Sequence, residues 1–373
     1  HIARLQAEGQ PVTRMARDES AGHGHFVMPA LIEIDRIERL QREVFGPVLH
    51  VLRYRREQLD EVLDAINATG YGLTFGVHSR IDETIDQVTQ KVQAGNVYVN
   101  RNVIGAVVGV QPFGGMGLSG TGPKAGGPLY LYRLLQAGQA QGNLALAALP
   151  AMPVSRTAPP TTGPNPADLP TWRTLQSLIT ALQGPEFSRL DRWQGRDADR
   201  AVVACEAYRA YSVFGQVFTL PGPTGESNRY QLLPRGAVWS AAHTALGLVH
   251  HLAAALASGN PCWLEMPAAN SAVARVLAAL PPEVQDFVKT RSAEQLMGET
   301  TLSVMLYEGD SDALQALLPR MAQRLGALVR IESLTPAQLA AGTLYDLSAL
   351  MHEQSISTNT AAAGGNAQLM TMG

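Results

Sequence analysis

Cysteine and lysine are both scarce in this 373-residue chain, and their scarcity narrows the possibilities. The two cysteines, Cys205 and Cys262, have no Cys-x-x-Cys spacing and make no disulfide framework, a usage that fits a reducing cytosol. Lysine occurs only at Lys91, Lys124 and Lys289, the other basic residues are arginine, and no block of like charges stands out. A formal net charge of −3 and a pI near 6.3 leave no electrostatic footprint for nucleic acid or an anionic membrane. No signal peptide is present and no apolar run is long enough to span a bilayer. The best stretch, 245–258, is too short and contains His250 and His251. A starting methionine is also missing: the chain opens on His1 and runs straight into element-like sequence, which reads as a fragment lacking its amino-terminal part.

What is present is a hydrophobic content of 46%, enough to bury a sizeable core and to fill two domains. Leu59, Val62, Leu63 and Ile66 have helical spacing, with Gly70 placed to stop the helix. Residues 73–77 read as a strand, Ile81, Ile85, Val88 and Val92 as a second amphipathic helix, and 97–99 as a short strand. This is α/β alternation, but with too few strands for a sheet covered on both faces. The alternation breaks after residues 130–135. Residues 147–170, rich in proline, threonine and alanine, read as an extended linker. A second α/β unit follows. Strands are expected at 237–239, 262–264, 302–307 and 327–331, and helices at 242–257, 271–280 and 312–325, the order of a doubly wound parallel sheet. The last residues, SISTNTAAAGGNAQLMTMG, carry no charge, whereas a solvated tail is usually polar, so this one is expected to dock into protein.

Residues 104–128, IGAVVGVQPFGGMGLSGTGPKAGGP, contain nine glycines in 25 positions and include Gly115-Met116-Gly117-Leu118-Ser119-Gly120, a Gly-x-Gly-x-x-Gly match. A dinucleotide turn needs a strand before it, a helix starting in it and an acid about 20 residues on. Pro112 and Phe113 precede the match, Pro123 and Pro128 follow it, and no acid lies near position 140. The match is accidental. The glycines are better read as positions of positive φ where backbone comes close to a ligand.

The strings QREVFGPV, GYGLTFGV, GNVYVN and QPFGGMGLSG stand in the order and spacing of the carboxyl-terminal third of NAD-dependent aldehyde dehydrogenases. The longer strings NVYVNRNVIGAVVGVQPFGG and GTGPKAGGPLYLYRLL resemble one branch, the L-glutamate γ-semialdehyde (pyrroline-5-carboxylate) dehydrogenase part of bifunctional proline-catabolic flavoenzymes, and the tail is similar to that family's carboxyl terminus. The resemblance implies an α/β fold: a partial aldehyde dehydrogenase catalytic domain over 1–137, a linker over 138–170, and a degenerate aldehyde-dehydrogenase-like Rossmann domain with a docked tail over 171–373. It implies an oxidoreductase of proline catabolism that oxidises its aldehyde through a thiohemiacetal, hydride transfer to NAD and thioester hydrolysis. Glu43 matches the carboxylate that grips the nicotinamide-ribose hydroxyls, and Phe45 would pack beside that ribose. The backbone of Gly105 and Ala106 matches the loop that seats the α-amino acid end of the aldehyde, and Phe113 an aromatic wall of the aldehyde tunnel. From the residues alone, Glu43 would be a surface acid, and Gly105, Ala106 and Phe113 a tight core loop. Arg101 and Asn102 either hold this loop or neutralise an acid, and Lys124 reads best as a solvated or loop-bracing side chain.

The family's cysteine nucleophile lies before the glutamate motif, where this chain has no cysteine, and its general base and side-chain oxyanion donor would lie there too. No catalytic residue is therefore assigned, and the isolated chain is expected to be inactive. Cys205 and Cys262 both sit in packing contexts. In the second α/β unit, GPTGESNRYQLLPRGAV and LASGNPCWLE resemble the opening of the family's nucleotide-binding domain. However, WSAAHTAL lacks the family's Trp-Asn pair, and Glu265 stands where a cofactor-binding lysine is expected, setting a carboxylate against phosphates. Hence a degenerate copy without nucleotide. His243 and His250 could share a helix face, but no third ligand has metal-like spacing, so no metal site is assigned.

The resemblance further implies NAD as cofactor and FAD only in the missing proline dehydrogenase part. The implied partners are the missing amino-terminal part, a small aldehyde substrate and further copies in a homo-oligomer, with no nucleic acid bound by this segment. The location implied is cytoplasmic, with the parent enzyme peripheral at the inner membrane. A rival reading makes the chain a non-catalytic docking module of that enzyme, and a third, little favoured, makes it a stand-alone dehydrogenase using Cys262.

Overall fold

The computed structural model describes residues 1–17, 23–135, 141–149, 168–188 and 196–361. They divide into two compact units. The first is built from His1–Tyr71 with Asp86–Gln93, the second from Gly72–Ile85 with Ala94 onward.

In the first unit, strands Val12–Arg14, Ala30–Ile34 and Val48–Leu52 form a small sheet, antiparallel between the first two and parallel between the last two. The middle strand alternates inward and outward side chains, and Ile32 and Ile34 meet Leu5 of helix Ile2–Ala7 in a minimal core. The helix expected from the Leu59–Ile66 spacing runs Leu59–Ala68, and Gly70 follows with φ 75°. The Asn67 side chain fastens it to residues 91–93, donating to the Lys91 carbonyl and accepting from the Gln93 N–H, both at 2.9 Å.

The second unit contains two five-stranded sheets. One is wholly parallel, in the spatial order Val288–Arg291, Cys262–Glu265, Ala237–Ala241, Leu302–Glu308, Arg330–Leu334. Its first strand in sequence is central and the chain winds outward in both directions from there, the doubly wound topology expected from the element order. The strand Val288–Arg291 is an addition to that expectation. Its sequence, VKTR, has one apolar side chain and sits at the sheet edge. Helix Ala245–Ala257 packs on one face with all thirteen residues buried, so small side chains alternate with leucines and neighbouring helices approach closely. Against it lie helices Pro170–Leu182 and Asp197–Tyr211, through Leu175, Leu178, Ala201, Ala204 and Cys205. The other face is covered through Trp239, Leu302, Met305, Leu296 and Met321. Truncating a fully buried leucine such as Leu252 to alanine would cost about 2–5 kcal/mol.

The other sheet is mixed, in the order Thr74–Val77, Asn96–Val99, Met351–Asn359, Glu226–Pro234, Val217–Leu220. The first three strands are parallel and the rest antiparallel. The two early strands, too few for a sheet by themselves, are thus completed by a strand more than 250 residues downstream. That strand begins what was read as the docked tail. Residues 355–359 are central in the sheet, and residues 362–373 lie outside those described. Most of the expected linker is likewise outside the described residues. Within its range, helix Gln141–Ala148 forms and buries Ala145 and Leu146 in the second unit's core.

Candidate functional site

Strand Asn96–Val99 delivers the chain to Asn100, whose φ is 56° and whose side chain bonds both backbone groups of Ser79 at 2.9 Å. The glycine-rich loop starts there. At Gly105 φ is 83°, a conformation strained for any residue with a side chain, and the space where a Cβ would point is open. The loop is closed at its base. Gln111 Oε1 accepts from the Val107 N–H at 3.0 Å, while the N–H groups of Val110 and Gln111 both return to the Val107 carbonyl. Gly109 donates to Gly126, and Phe113 exchanges two backbone bonds with Ala125. At the tip, the N–H groups of Gly105 and Ala106 have no partner among the described residues, and both residues are exposed. Two adjacent unfilled amides are the donor pattern a carboxylate accepts. Around them stand the exposed side chains of Ile104 and Val108, 79% and 82% accessible, and Phe113 is half-buried just beyond.

The Gly-x-Gly-x-x-Gly match opens no helix, as expected, and its neighbourhood serves backbone packing. A Cβ on Gly95 would come within 1.9 Å of the Gly114 carbonyl oxygen, so two chain segments touch there without a ligand between them. Lys124 is buried and braces this contact, donating to Asn96 Oδ1 at 2.8 Å, to the Pro112 carbonyl at 3.2 Å and to the Gly95 carbonyl. Desolvation draws its pKa down to about 7 against the attraction of Glu353. Three acceptors for three ammonium protons make it the loop brace of the two alternatives, and its burial rules out the solvated one. Arg101 takes on both of its alternative roles: it pairs with Glu226, donates to Ser357 Oγ at 2.7 Å and lies over the Tyr98 ring. Asn102 Oδ1 accepts from the Ile104 N–H at 3.3 Å.

Glu43 and Phe45 belong to the first unit, in the turn before strand Val48–Leu52. Glu43 is exposed and makes no hydrogen bond or ion pair among the described residues, and the Phe45 ring is 91% accessible. A free carboxylate is chemically able to accept from a ribose diol, and a ring left in water has surface to bury against one. Gly105, Ala106 and Phe113 share one loop of the second unit, whereas Glu43 and Phe45 lie on the other.

Neither cysteine has the exposure a nucleophile needs. Cys205 and Cys262 are fully buried, and desolvation pushes both thiols up, Cys262 to about 12. The Ser240–His251 contact at 2.8 Å looks like a nucleophile and base. Both are fully buried, and His251 Nε2 meets the Tyr345 hydroxyl at 2.9 Å, so the group is a structural bridge. His250 meets the Tyr208 hydroxyl at 3.1 Å and His243 packs edge-on against Tyr307. None of the three histidines is in a cluster with metal-ligand geometry among the described residues.

At the carboxyl ends of strands Ala237–Ala241 and Leu302–Glu308, where a doubly wound sheet binds its ligand, the amino terminus of helix Ala245–Ala257 is already filled. The Glu308 carboxylate accepts from the N–H groups of His243 and Thr244 at 2.7 and 2.8 Å and from Thr244 Oγ1 at 2.5 Å. It lies so close that a Cβ on Gly247 would meet Oε2 at 1.9 Å. Beside it is a cavity of about 180 Å³ lined in part by His243 and Glu265, whose carboxylate accepts from the Trp239 indole at 3.1 Å. Sequence reasoning found Glu265 and missed Glu308, although an acid closing the apolar strand LSVMLYE was a legible signal. It also passed over Gln111, which lay inside a quoted motif. For Glu226 and Glu353, the loop's long-range partners, no local pattern exists.

The model of the aldehyde dehydrogenase family matches residues 1–138. Along its full length the chain is 44% identical to the bifunctional protein PutA of Salmonella typhimurium, covering 26% of that protein. Over 35% of its length it is 42% identical to the 1-pyrroline-5-carboxylate dehydrogenase of Bacillus pumilus, covering 25% of it. In fold it is similar to proline utilization A of Corynebacterium freiburgense, with a TM-score of 0.55 at 20% identity, over 95% of this chain and 30% of that one. The chain spans about a quarter of the length of the bifunctional relatives it matches. Among the described residues, no helix is long and apolar enough to cross a membrane.

Proposed function

We propose that this chain is the carboxyl-terminal part of a bifunctional proline-catabolic enzyme. In this reading it serves the NAD-dependent oxidation of L-glutamate γ-semialdehyde to L-glutamate, the second step of proline degradation. The observation that carries the reading is the exposed loop tip with unfilled amides at Gly105 and Ala106. The aldehyde's amino-acid end presents a carboxylate, and two adjacent N–H groups on a loop closed beneath them suit it without a charged side chain. Phe113 would flank the apolar carbons between that end and the aldehyde. Glu43 would accept from the nicotinamide-ribose hydroxyls and Phe45 would cover the ribose, the cofactor supplying the hydride acceptor. NAD is favoured over its phosphorylated form only by the family resemblance. Both cysteines here are buried, so in this reading the attacking thiolate comes from another stretch of the parent, and the family resemblance puts the general base and the FAD site there too.

The domain boundaries proposed are 1–137 for the catalytic part, 138–170 for the linker and 171–373 for the degenerate domain. Glu308 supports the view that the latter has exchanged its nucleotide for an internal anion. A cytoplasmic, homo-oligomeric parent is part of the same proposal. The rival reading, a docking module without chemistry, is favoured by the strand Met351–Asn359, which joins both halves of the mixed sheet. Complementation separates the two. Supplying the amino-terminal segment should restore NAD reduction with glutamate semialdehyde, and Gly105→Trp, which forces a side chain onto a positive φ at the loop tip, should abolish it. Restored activity indifferent to Gly105→Trp would refute the anchoring role.

A further inference from the structure

We infer that Glu226 is a positioning residue for the anchoring loop: its single carboxylate holds the loop's entry and exit together and orients the amide that shapes its tip. The inference rests on the proposed reading of that loop as the aldehyde's anchor.

Glu226 opens strand Glu226–Pro234 and lies 115 residues from Gln111 in sequence, yet both reach the same point. One oxygen, Oε1, accepts from Gln111 Nε2 and from Asn228 Nδ2, the latter at 2.9 Å, and the other accepts from Arg101 Nη1. Arg101 stands at the start of the loop and Gln111 closes it. The side chains of Arg101 and Glu226 are only 19% and 15% accessible, so this pair is largely shielded from solvent.

The consequence lies in the Gln111 amide. A primary amide has one donor end and one acceptor end. Glu226 can only accept while ionised, and so takes the NH₂ end. That leaves Oε1 facing the loop, where it captures the Val107 N–H. Without the carboxylate, a flipped amide would set NH₂ against N–H at Val107, and the turn beginning next to Ala106 would lose its tie. The Val110 and Gln111 N–H bonds to the Val107 carbonyl hang on the same residue. Glu226 makes no hydrogen bond to Gly105 or Ala106. Its effect reaches them through Arg101 at the loop's entry and through Gln111 and Val107 at its exit, so it should alter how the amino-acid end is held and not the chemistry at the aldehyde.

The test uses the full-length enzyme carrying this chain, with glutamate γ-semialdehyde and with propanal, which has no amino-acid end. Glu226→Ala should raise KM for glutamate semialdehyde about tenfold, as expected if the misplaced loop tip loses about one of its amide bonds to the substrate carboxylate. Its kcat, and kcat/KM for propanal, should stay within about twofold. Glu226→Gln, isosteric and able to offer one acceptor to Gln111, should raise KM only about threefold, and this variant decides the matter if the alanine variant does not fold. An unchanged KM for glutamate semialdehyde would overturn the inference, and so would equal losses on both aldehydes. Gly105→Trp run alongside separates the two levels. If it raises that KM, or abolishes turnover of that aldehyde as expected above, while the Glu226 variants leave KM unchanged, only the positioning role falls. If neither moves it, the anchoring reading falls as well.

Discussion

Replacing Glu308 by alanine tests whether the second domain holds an internal substitute for a bound anion. The carboxylate accepts three hydrogen bonds, two from backbone N–H groups and one from Thr244, at the amino end of a thirteen-residue helix. A charged acceptor removed from a buried donor costs about 1.5–3 kcal/mol per bond, so the additive ceiling is about 4.5–9 kcal/mol. Two effects reduce it. The substitution also relieves the desolvation of a buried charge, and water from the adjoining cavity can reach the freed donors. A net loss of about 3 kcal/mol is expected, with Glu308→Gln, which keeps one acceptor, losing about 1 kcal/mol. The assay is thermal unfolding together with amide exchange of the segment 243–247, whose protection should fall in the alanine variant. Inorganic phosphate should then stabilise Glu308→Ala beyond its effect on the parent at matched ionic strength, by up to about 2.7 kcal/mol at a hundredfold excess over its Kd. If the alanine variant unfolds like the parent, or if phosphate treats the two alike, the carboxylate is not standing in for a ligand.

Three further outcomes follow from burial. His250 is held down to about 4 by desolvation, so between the ordinary 6.5 and 4 the unfolded chain takes up a proton that the folded chain refuses. Stability should therefore fall as pH drops through that window, by about 3 kcal/mol, and His250→Gln should flatten the slope of unfolding free energy against pH. Lys124→Met should cost about 2–4 kcal/mol in denaturant unfolding, because it leaves the Gly95 and Pro112 carbonyls and Asn96 Oδ1 without the ammonium. Cys205 and Cys262 should resist alkylation by iodoacetamide at pH 8 in the folded chain and react together on unfolding. Modification of either without loss of structure would contradict their burial and raised thiol pKa values.

The parallel sheet was legible because its two middle strands, Ala237–Ala241 and Leu302–Glu308, are buried on both faces and therefore almost wholly apolar. Residues 237–241 are buried without exception, and the helix after them is buried around its whole circumference and apolar but for His250 and His251. Its edge strand Val288–Arg291 escaped notice for the complementary reason: two of its four side chains face water and it carries almost no hydrophobic signal. The glycine loop could be assigned only by its motif, since periodicity is silent about which amides are left unfilled.

The mixed sheet was hidden by a different kind of chemistry. Strand Met351–Asn359 buries Glu353, Gln354, Ser355 and Ser357, residues that a binary pattern assigns to a surface. Each is buried because a partner waits elsewhere in the chain. Glu353 accepts from the Lys124 N–H and the Tyr230 hydroxyl, Gln354 donates to the Ala94 carbonyl, Ser355 donates to the Pro112 carbonyl, and Ser357 accepts from Arg101. A buried polar group left unpaired costs about 1–3 kcal/mol, so such a strand is stable only in its native register. A shift by one residue would set the Glu353 carboxylate against the wrong neighbours. The polarity that conceals the strand from a sequence reading therefore also fixes its position against Asn96–Val99, and with it the base of the loop that follows that strand.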